Sequence, residues 1–355
     1  MKWKVALAVL LIIVCVLVFA NAEEAETFIC GDYEYTLAED GTAVIMDYNG
    51  KDEKLTIPSE LDGHLVKGIG DGAFSWCDSL TSVTLPDGLT SIGNKAFFWC
   101  NSLTSITLPD SITDLGVNPW DTCSNLATIK VSPKNPSLAV IDGVLYSKAD
   151  KRLVWYPMKR KASTFEVPQG IRIIGDSAFS YCKSLTSITL PDSVTSIGNK
   201  AFEGCDGLTS ITLSDGVTSI GEMAFSSCDS LTSITLPDSV TSIGSRVFFG
   251  CESLTSVTLP DSVTSISNDA FSYCKSLTSI TLPDSITRIG HGAFYCCDSL
   301  TSITLPDSLT RIGYAPFAGC ESLTLTVTEN SYAEQYCIDN GLMYIYPNSL
   351  DWLND

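Results

Sequence analysis

Hydrophobic positions in this chain recur at every 23rd position. In the copy that begins at Cys228, Ile234-Thr-Leu236 alternates apolar and polar residues, and Pro237-Asp238 follows with residues that favour turns. Each copy is therefore predicted to contain one short strand. A second extended stretch covers Val240–Ile243, and Val247-Phe248 returns to the apolar side before the next cysteine. Because one copy cannot cover its own apolar face, we expect the copies to stack into a solenoid with a long parallel sheet.

Cysteines mark this period. They stand at positions 77, 100, 123, 182, 205, 228, 251, 274, 297 and 320, and every step is 23 except the one from 123 to 182, which is 59. We expect buried, mostly reduced thiols inside the coils. Stacked cysteines would also lie close enough for disulfides, but loss of an export signal leaves 13 of the 14 cysteines, and an odd number cannot all pair within one chain. The spacing lacks the Cys-x-x-Cys pairs typical of zinc sites.

The repeat carries a recognisable motif. Leu231-x-x-Ile234-x-Leu236-Pro, followed by Val-x-x-Ile-Gly-x-x-Ala-Phe-x-x-Cys, resembles the leucine-rich repeat of the BspA type, also called the Treponema pallidum type. The resemblance implies a β-rich leucine-rich-repeat solenoid of 23-residue coils with a parallel sheet, an N-terminal hairpin cap and a short C-terminal helical cap. Ser331 fits the N-cap of that helix and Gly341 its end. The resemblance also implies a secreted or cell-surface protein that mediates adhesion.

The N-terminus predicts export. Lys2 and Lys4 precede an apolar run from Val5 to Ala20, and Ala20-Asn21-Ala22 has the small-x-small pattern of a cleavage site. The run is short for a membrane span, so a cleaved signal is favoured over an uncleaved anchor, and we expect no transmembrane segment after cleavage. The predicted organisation is a signal peptide over 1–22, an N-terminal cap and first coil over 23–76, the solenoid over 77–329 with an island insertion at about 132–168, and a C-terminal cap over 330–355.

The island differs in charge from its surroundings. Ile141–Tyr146 and Leu153–Pro157 predict a two-stranded insert. The favoured interpretation is a structural excursion that covers the flank of the solenoid. The alternative is a basic patch that binds an acidic glycan or protein, or docks a neighbouring molecule. Its basic residues are Lys148, Lys151, Arg152, Lys159, Arg160, Lys161 and Arg172.

Net charge and composition narrow the function further. Lys and Arg total 21 against 41 Asp and Glu, a formal charge of −20, which excludes nucleic acid as a partner. With two histidines, His64 and His291, and no phosphate-loop or metal motif, nothing indicates catalysis or a cofactor. Aspartates of the Pro-Asp turns are expected to cap those turns and face water; loose binding of divalent cations along their row is the alternative. That row is Asp87, Asp110, Asp192, Asp215, Asp238, Asp261, Asp284 and Asp307.

Aromatic residues vary just before the repeated cysteine, while the frame around them is nearly constant. Such variable positions are expected to be exposed, and exposed aromatics often anchor protein or glycan contacts. Packing over the coil edge is the other interpretation. The sequence thus predicts a non-enzymatic protein that binds an extracellular protein or glycan, with a passive spacer of the cell envelope as the alternative. The candidate residues are Trp76, Trp99, Tyr181, Phe249, Tyr273 and Tyr295.

Overall fold

The computed structural model describes residues 26–347. The predicted signal peptide, 1–22, and the last residues of the predicted C-terminal cap lie outside this range. Within it the chain forms a solenoid of about 13 turns. The strands are β1 (Thr27–Cys30), β2 (Tyr33–Leu37), β3 (Ala43–Tyr48), β4 (Lys54–Thr56), β5 (Glu60–Leu61), β6 (His64–Ile69), β7 (Ser82–Thr84), β8 (Ser91–Ile92), β9 (Ser105–Leu108), β10 (Asp114–Leu115), β11 (Thr128–Val131), β12 (Leu138–Ile141), β13 (Val144–Ser147), β14 (Arg152–Trp155), β15 (Thr164–Glu166), β16 (Ile173–Ile174), β17 (Ser187–Thr189), β18 (Ser196–Ile197), β19 (Ser210–Thr212), β20 (Ser219–Ile220), β21 (Ser233–Thr235), β22 (Ser256–Thr258), β23 (Ser265–Ile266), β24 (Arg288–Ile289), β25 (Ser302–Thr304), β26 (Arg311–Ile312), β27 (Thr324–Thr326) and β28 (Tyr344–Ile345); the helix is α1 (Tyr332–Asn340).

Two parallel ladders run along the solenoid and confirm the predicted fold. The first ladder contains the Ser-Ile-Thr strands, paired so that each residue meets its equivalent one repeat later, as Ile188 meets Ile211. The second ladder contains the Ser-Ile strands, where Ile174 meets Ile197. The central isoleucine of each Ser-Ile-Thr strand points inward and its neighbours point to solvent, as period-two alternation requires.

Besides the two ladders, each coil has a third side, which is a tight turn. The repeated phenylalanine of each turn points inward, and together these residues form the Phe row. Phe179, Phe202, Phe225 and their equivalents are fully buried, and successive rings stack with centroids 5.1–5.8 Å apart. Backbone bonds join these turns as well, because the Phe202 amide donates to the Ala224 carbonyl at 2.8 Å. The chain reverses here through two residues with positive φ, four positions apart, such as Lys95 (φ 51°) and Trp99 (φ 59°).

The repeated cysteines lie beneath this turn. They are buried from Cys100 to Cys297, whereas Cys77 and Cys320, at the ends of the row, are half-buried. In eight coils the thiol donates to the carbonyl of a Phe in the preceding coil, as Cys251 Sγ does to Phe225 O at 3.1 Å. Burial raises the pKa of the Cys251 thiol to about 12, because an apolar interior disfavours the thiolate. The row is thus a set of core hydrogen-bond donors.

Side-chain hydroxyls add further bonds between coils. Thr209 Oγ1 donates to the Thr186 carbonyl at 3.1 Å, and the equivalent threonines repeat this contact along the stack. Ser285 of a Pro-Asp-Ser turn likewise donates to the Val263 carbonyl at 2.6 Å. Such bonds satisfy carbonyls at the rim of each coil and fix the register of the next one.

Both ends of the stack are closed by non-repeated elements. At the start, β1, β2 and β3 form an antiparallel sheet whose last strand pairs in parallel with β6. At the end, helix α1 begins after Ser331, whose side chain accepts from the Glu334 amide at 3.1 Å, and ends at Gly341 in the left-handed conformation. The predicted N-cap and helix end are therefore confirmed.

The island inserts into the stack instead of covering its flank. It has three strands and not two. The predicted strand Ile141–Tyr146 contains a tight hairpin turn at Asp142 and Gly143, which both have positive φ, and this turn separates β12 from β13. Strand β14 then pairs in parallel with β16 and restarts the second ladder. Its two faces belong to two separate core clusters. Leu145, Val154 and Trp155 pack with the preceding coils, and Val144, Tyr146, Leu153 and Tyr156 with the following ones.

Candidate partner-binding surfaces

The predicted aromatic row consists of two adjacent columns. Trp76, Trp99, Tyr181 and Tyr273 stand directly before the cysteine of the repeat and all have positive φ. Phe249 and Tyr295 stand one position earlier in their coils, beside Gly250 and Cys296. Most of these side chains group into two clusters along the stack.

The first cluster, which we call the N-terminal aromatic patch, comprises Trp76, Phe98 and Trp99. The two tryptophan rings stack with centroids 4.7 Å apart, and Phe98 meets Trp76 edge-on at 5.7 Å. Trp76 remains 59% exposed and Trp99 39%. Lys95 Nζ lies 5.1 Å from the centre of the Phe98 ring and also forms an ion pair with buried Asp121 at 3.5 Å. The patch is thus a broad, partly exposed aromatic surface with one cation at its edge.

The second cluster, the C-terminal aromatic patch, comprises Phe249, Tyr273 and Tyr295. Each neighbouring pair is arranged edge to face with centroids 5.4 Å apart. Tyr273 and Tyr295 are each 38% exposed, and Phe249 is half-buried. Tyr181 belongs to neither patch; it is equally exposed, and its ring lies over Gly204 of the next coil.

The backbone makes these aromatic residues costly. Every coil has positive φ at the position before the cysteine: three coils have glycine there, the residue type that adopts this conformation most easily, and three others have Thr122, Ser227 and Cys296. A side chain there costs on the order of 1 kcal/mol. Trp99 and Tyr273 have this strained conformation although more than a third of each side-chain surface remains exposed to solvent. Their position therefore favours a contact outside the chain.

Most of the basic island is occupied by contacts within the chain. Arg160 lies over the Tyr156 ring at 5.4 Å and the Phe165 ring at 5.8 Å, and also donates to the Asp142 carbonyl. Three other members are likewise engaged: Lys148 donates to the Asn135 carbonyl, Arg152 pairs with Asp150, and Lys159 bonds Asn125. Of the island residues named as candidates, Lys151 and Lys161 have exposed side chains without such a contact to the described residues. The positive charge is therefore largely used to hold the insert in place.

The aspartates of the Pro-Asp turns are exposed, as expected, but they do not cap those turns. Instead, the turn closes through its backbone, as the Val240 amide donates to the Pro237 carbonyl at 3.0 Å, and the following serine bonds the previous coil. Across residues 26–347, no three His, Cys, Asp or Glu side chains are placed to hold one metal ion together. The alternative interpretation, loose binding of divalent cations along this row, gains no support.

Sequence reasoning missed a ladder of side-chain acceptors just after the strands of the second ladder. Asn94 Oδ1 accepts from the Val117 amide of the next coil at 2.6 Å. In the same way, Asn199 accepts from the Glu222 amide and Asn268 from the His291 amide, each in the coil that follows. His291 occupies this position in its coil, where its Nδ1 accepts from the Tyr314 amide at 2.8 Å. It is therefore a structural member of the ladder rather than an ordinary surface residue. Alignment of the copies on Asn would have revealed this.

No helix among residues 26–347 is both long and apolar enough to span a membrane. Among solved structures, the chain is similar to a leucine-rich repeat protein from Eubacterium ventriosum at 24% identity and a TM-score of 0.65, covering 83% of this chain and 95% of that one. It is also similar to a leucine rich cell surface protein from Faecalibacterium prausnitzii, at 24% identity and a TM-score of 0.43, covering 89% and 98%. The first likeness supports the fold.

A sequence-family model agrees with the repeat geometry. We found no significant match among curated protein sequences. The model of the BspA type leucine rich repeat region, however, matches in six copies over residues 48–146, 156–276 and 244–341. These ranges contain both ladders, the Phe row and the cysteine row. The chain therefore belongs to the BspA-type leucine-rich repeat family.

Proposed function

We propose that this protein is exported and binds an extracellular protein or glycan through its two aromatic patches. The observation that carries the proposal is the placement of Trp76, Trp99 and Tyr273 at positive φ, where glycine would relieve backbone strain. Aromatic side chains contribute large contact areas of about 150–250 Å² each at low entropic cost. Export is supported by the N-terminal sequence pattern of residues 1–22.

Two patches on one rigid rod also favour a long or repetitive partner. A partner that engages both patches gains avidity, because the second contact forms within an existing complex. Each single contact can then be weak.

The test is a binding panel of extracellular matrix proteins and glycans with variants of the protein. Trp76→Gly/Trp99→Gly and Tyr273→Gly remove exposed rings while giving the backbone its least strained residue. Tyr314→Ala is the matched control, because Tyr314 is an aromatic residue 81% exposed outside both patches. We expect the glycine variants to weaken binding at least about tenfold and the control to leave it unchanged.

Two results would count against the proposal. If a ligand binds and the glycine variants retain full affinity, the aromatic patches are not the binding surface. If no ligand binds and the glycine variants lose more than about 1 kcal/mol of stability, the rings serve to pack the coil edge, as aromatic pairs can. The protein would then fit the alternative of a passive spacer in the cell envelope.

A further inference from the structure

The repeat changes character in one short region of the second ladder. Ser267 stands where the neighbouring coils have Gly244 and Gly290. Between β20 and β23, the coil in the middle contributes a single bridge, from Ile243 to Ile266, in place of a strand. The bonds to the following coil are kept, since the Ile243 amide donates to the Ser265 carbonyl at 3.1 Å and the Ser267 amide donates to the Ile243 carbonyl at 2.9 Å. A hollow of about 360 Å³ lies on this C-terminal side, lined by residues between Ser245 and Gly313.

Two arginines line this hollow. In the second ladder the position before isoleucine is serine in most coils, as in β18, β20 and β23, but it is Arg288 in β24 and Arg311 in β26. The two are direct partners in the parallel register, so their backbones lie about 4.8 Å apart. Both side chains are exposed, and neither has a hydrogen bond or ion pair with any residue that the structure describes. Adjacent like charges repel, so this pair is unfavourable without a counterion.

The other polar residues of the hollow supply donors. Asn268 Oδ1 accepts from the His291 amide at 2.9 Å, which leaves the Asn268 side-chain NH2 free to donate. His291 Nδ1 accepts from the Tyr314 amide, so the proton of the neutral ring is on Nε2. Serine hydroxyls complete the lining, which contains no Asp or Glu among the described residues. In a chain with a net charge of −20, this is a local surface of positive charge and hydrogen-bond donors.

The same fold position nearer the N-terminus has the opposite character. There a hollow of about 300 Å³ is lined by Asp71, Asn94 and Asp114 between β6, β8 and β10. Asp71 accepts from the Asn94 amide at 2.7 Å, and Asp114 takes the ladder position that Arg288 and Arg311 take later. The backbone frame alone therefore does not create the positive hollow; the substituted residues do.

We propose that the hollow at Arg288 and Arg311 binds an oxyanion: a sulfate, phosphate or carboxylate group. The planar fork of a guanidinium matches two oxygens of such a group, and an anion between the two arginines offsets their repulsion. The site lies on the second ladder and uses none of the residues of the aromatic patches. It therefore stands or falls independently of the proposed function.

The test is a titration of the full chain with sodium sulfate, phosphate and acetate at constant ionic strength, followed by the NMR signals of the arginine Nε–Hε groups. We expect saturable shifts at Arg288 and Arg311. Arg288→Gln/Arg311→Gln should weaken binding at least about tenfold, because hydrogen bonds to charged groups are among the strongest in proteins. Both side chains are exposed and uncontacted by the described residues, so this variant should fold, which circular dichroism checks.

Two further variants separate a built site from simple charge. Arg288→Lys/Arg311→Lys keeps both charges but loses the fork, and should weaken binding about threefold or more. Lys161→Gln/Arg172→Gln removes two exposed charges elsewhere and should leave binding unchanged. Absence of saturable shifts, a lysine variant equal to the wild type, or a control variant as weak as the glutamine variant would each overturn the proposal. Tighter binding of a sulfated than of a uronic-acid disaccharide, or the reverse, supports it and identifies the source of the anion.

Discussion

The Phe row offers the sharpest test of how the coils hold together. Phe225 is fully buried, and its ring lies between Phe202 at 5.2 Å and Phe248 at 5.7 Å with interplanar angles of 7° and 10°. Phe225→Ala removes the ring from the middle of this stack. The neighbouring rings cannot fill the gap, because the backbones of Phe202 and Phe248 are tied to adjacent coils by amide–carbonyl bonds of 2.8 and 2.9 Å.

The expected cost follows from this rigidity. Truncation of a buried phenylalanine to alanine costs about 3–5 kcal/mol, and the cost is highest where the cavity cannot collapse. Two ring contacts are also lost, each worth about 0.5–1.5 kcal/mol beyond burial. We therefore expect the free energy of local unfolding to fall by about 5 kcal/mol. The matched control is Phe98→Ala, since Phe98 is half-buried outside the row, and it should cost less than about 2 kcal/mol.

Amide hydrogen exchange measures this effect coil by coil. In a stack stabilised by nearest-neighbour interfaces, the loss should be greatest at β17, β19 and β21 and fade towards β4 and β7, beyond the island. A uniform loss of protection over all strands would show that the rod unfolds as one unit. A loss below about 2 kcal/mol, the lower end for large-to-small core substitutions, would refute the rigid Phe row, because it would mean that the neighbouring coils move to close the cavity.

Three other changes test the contacts between coils. Ser285→Ala should cost about 1 kcal/mol in urea unfolding, since it removes a bond to the preceding coil, whereas Ser279→Ala, at an exposed position that forms an isolated bridge to Ser302, should change nothing; equal effects would contradict this role. Gly198→Ala should lower the melting temperature by several degrees, because the added Cβ would lie 2.6 Å from a backbone nitrogen of the previous coil; a neutral outcome would mean that the coils can separate there. Between about pH 9 and pH 12, stability should fall as pH rises, because burial raises the pKa of the Cys205 and Cys251 thiols from 9.0 to about 12 and they ionise there only when unfolded. Melting temperatures across this range check it, and Cys251→Ala should reduce the slope; an unchanged slope would count against the buried thiols as its source.

The period carried most of the fold information in this sequence. The regular repeat with alternating apolar positions predicted both extended segments, and Ser331 and Gly341 predicted the limits of α1 because capping is a local property. The island was harder. The run Leu153–Tyr156 is apolar at every position, which is the pattern of a strand buried on both faces, and the structure places it between two cores. The basic composition of the island had instead suggested an excursion on the surface of the solenoid.

The candidate surfaces were only partly predictable. Exposure of Trp76 and Tyr273 followed from their variability within a constant frame. Their positive φ could not be predicted from the sequence, because glycine is the residue that indicates this conformation and these positions have tryptophan and tyrosine. Arg288 and Arg311 do not follow from the repeat pattern, because they are exceptions to a recurring serine. In a repeat protein, departures from the common pattern carry as much information as the pattern itself.

The identity of successive coil interfaces has a genetic consequence. The units between Cys182 and Cys228, which lie between the two aromatic patches, pair in the same parallel register with their neighbours, so deletion or duplication of one whole unit there leaves the ladder register matched. The cap strands β1–β3, the island and α1 occur once each and would be retained. The distance between the N-terminal and C-terminal aromatic patches is therefore a heritable quantity that can change in whole steps of one coil, about 4.8 Å, while each patch stays intact.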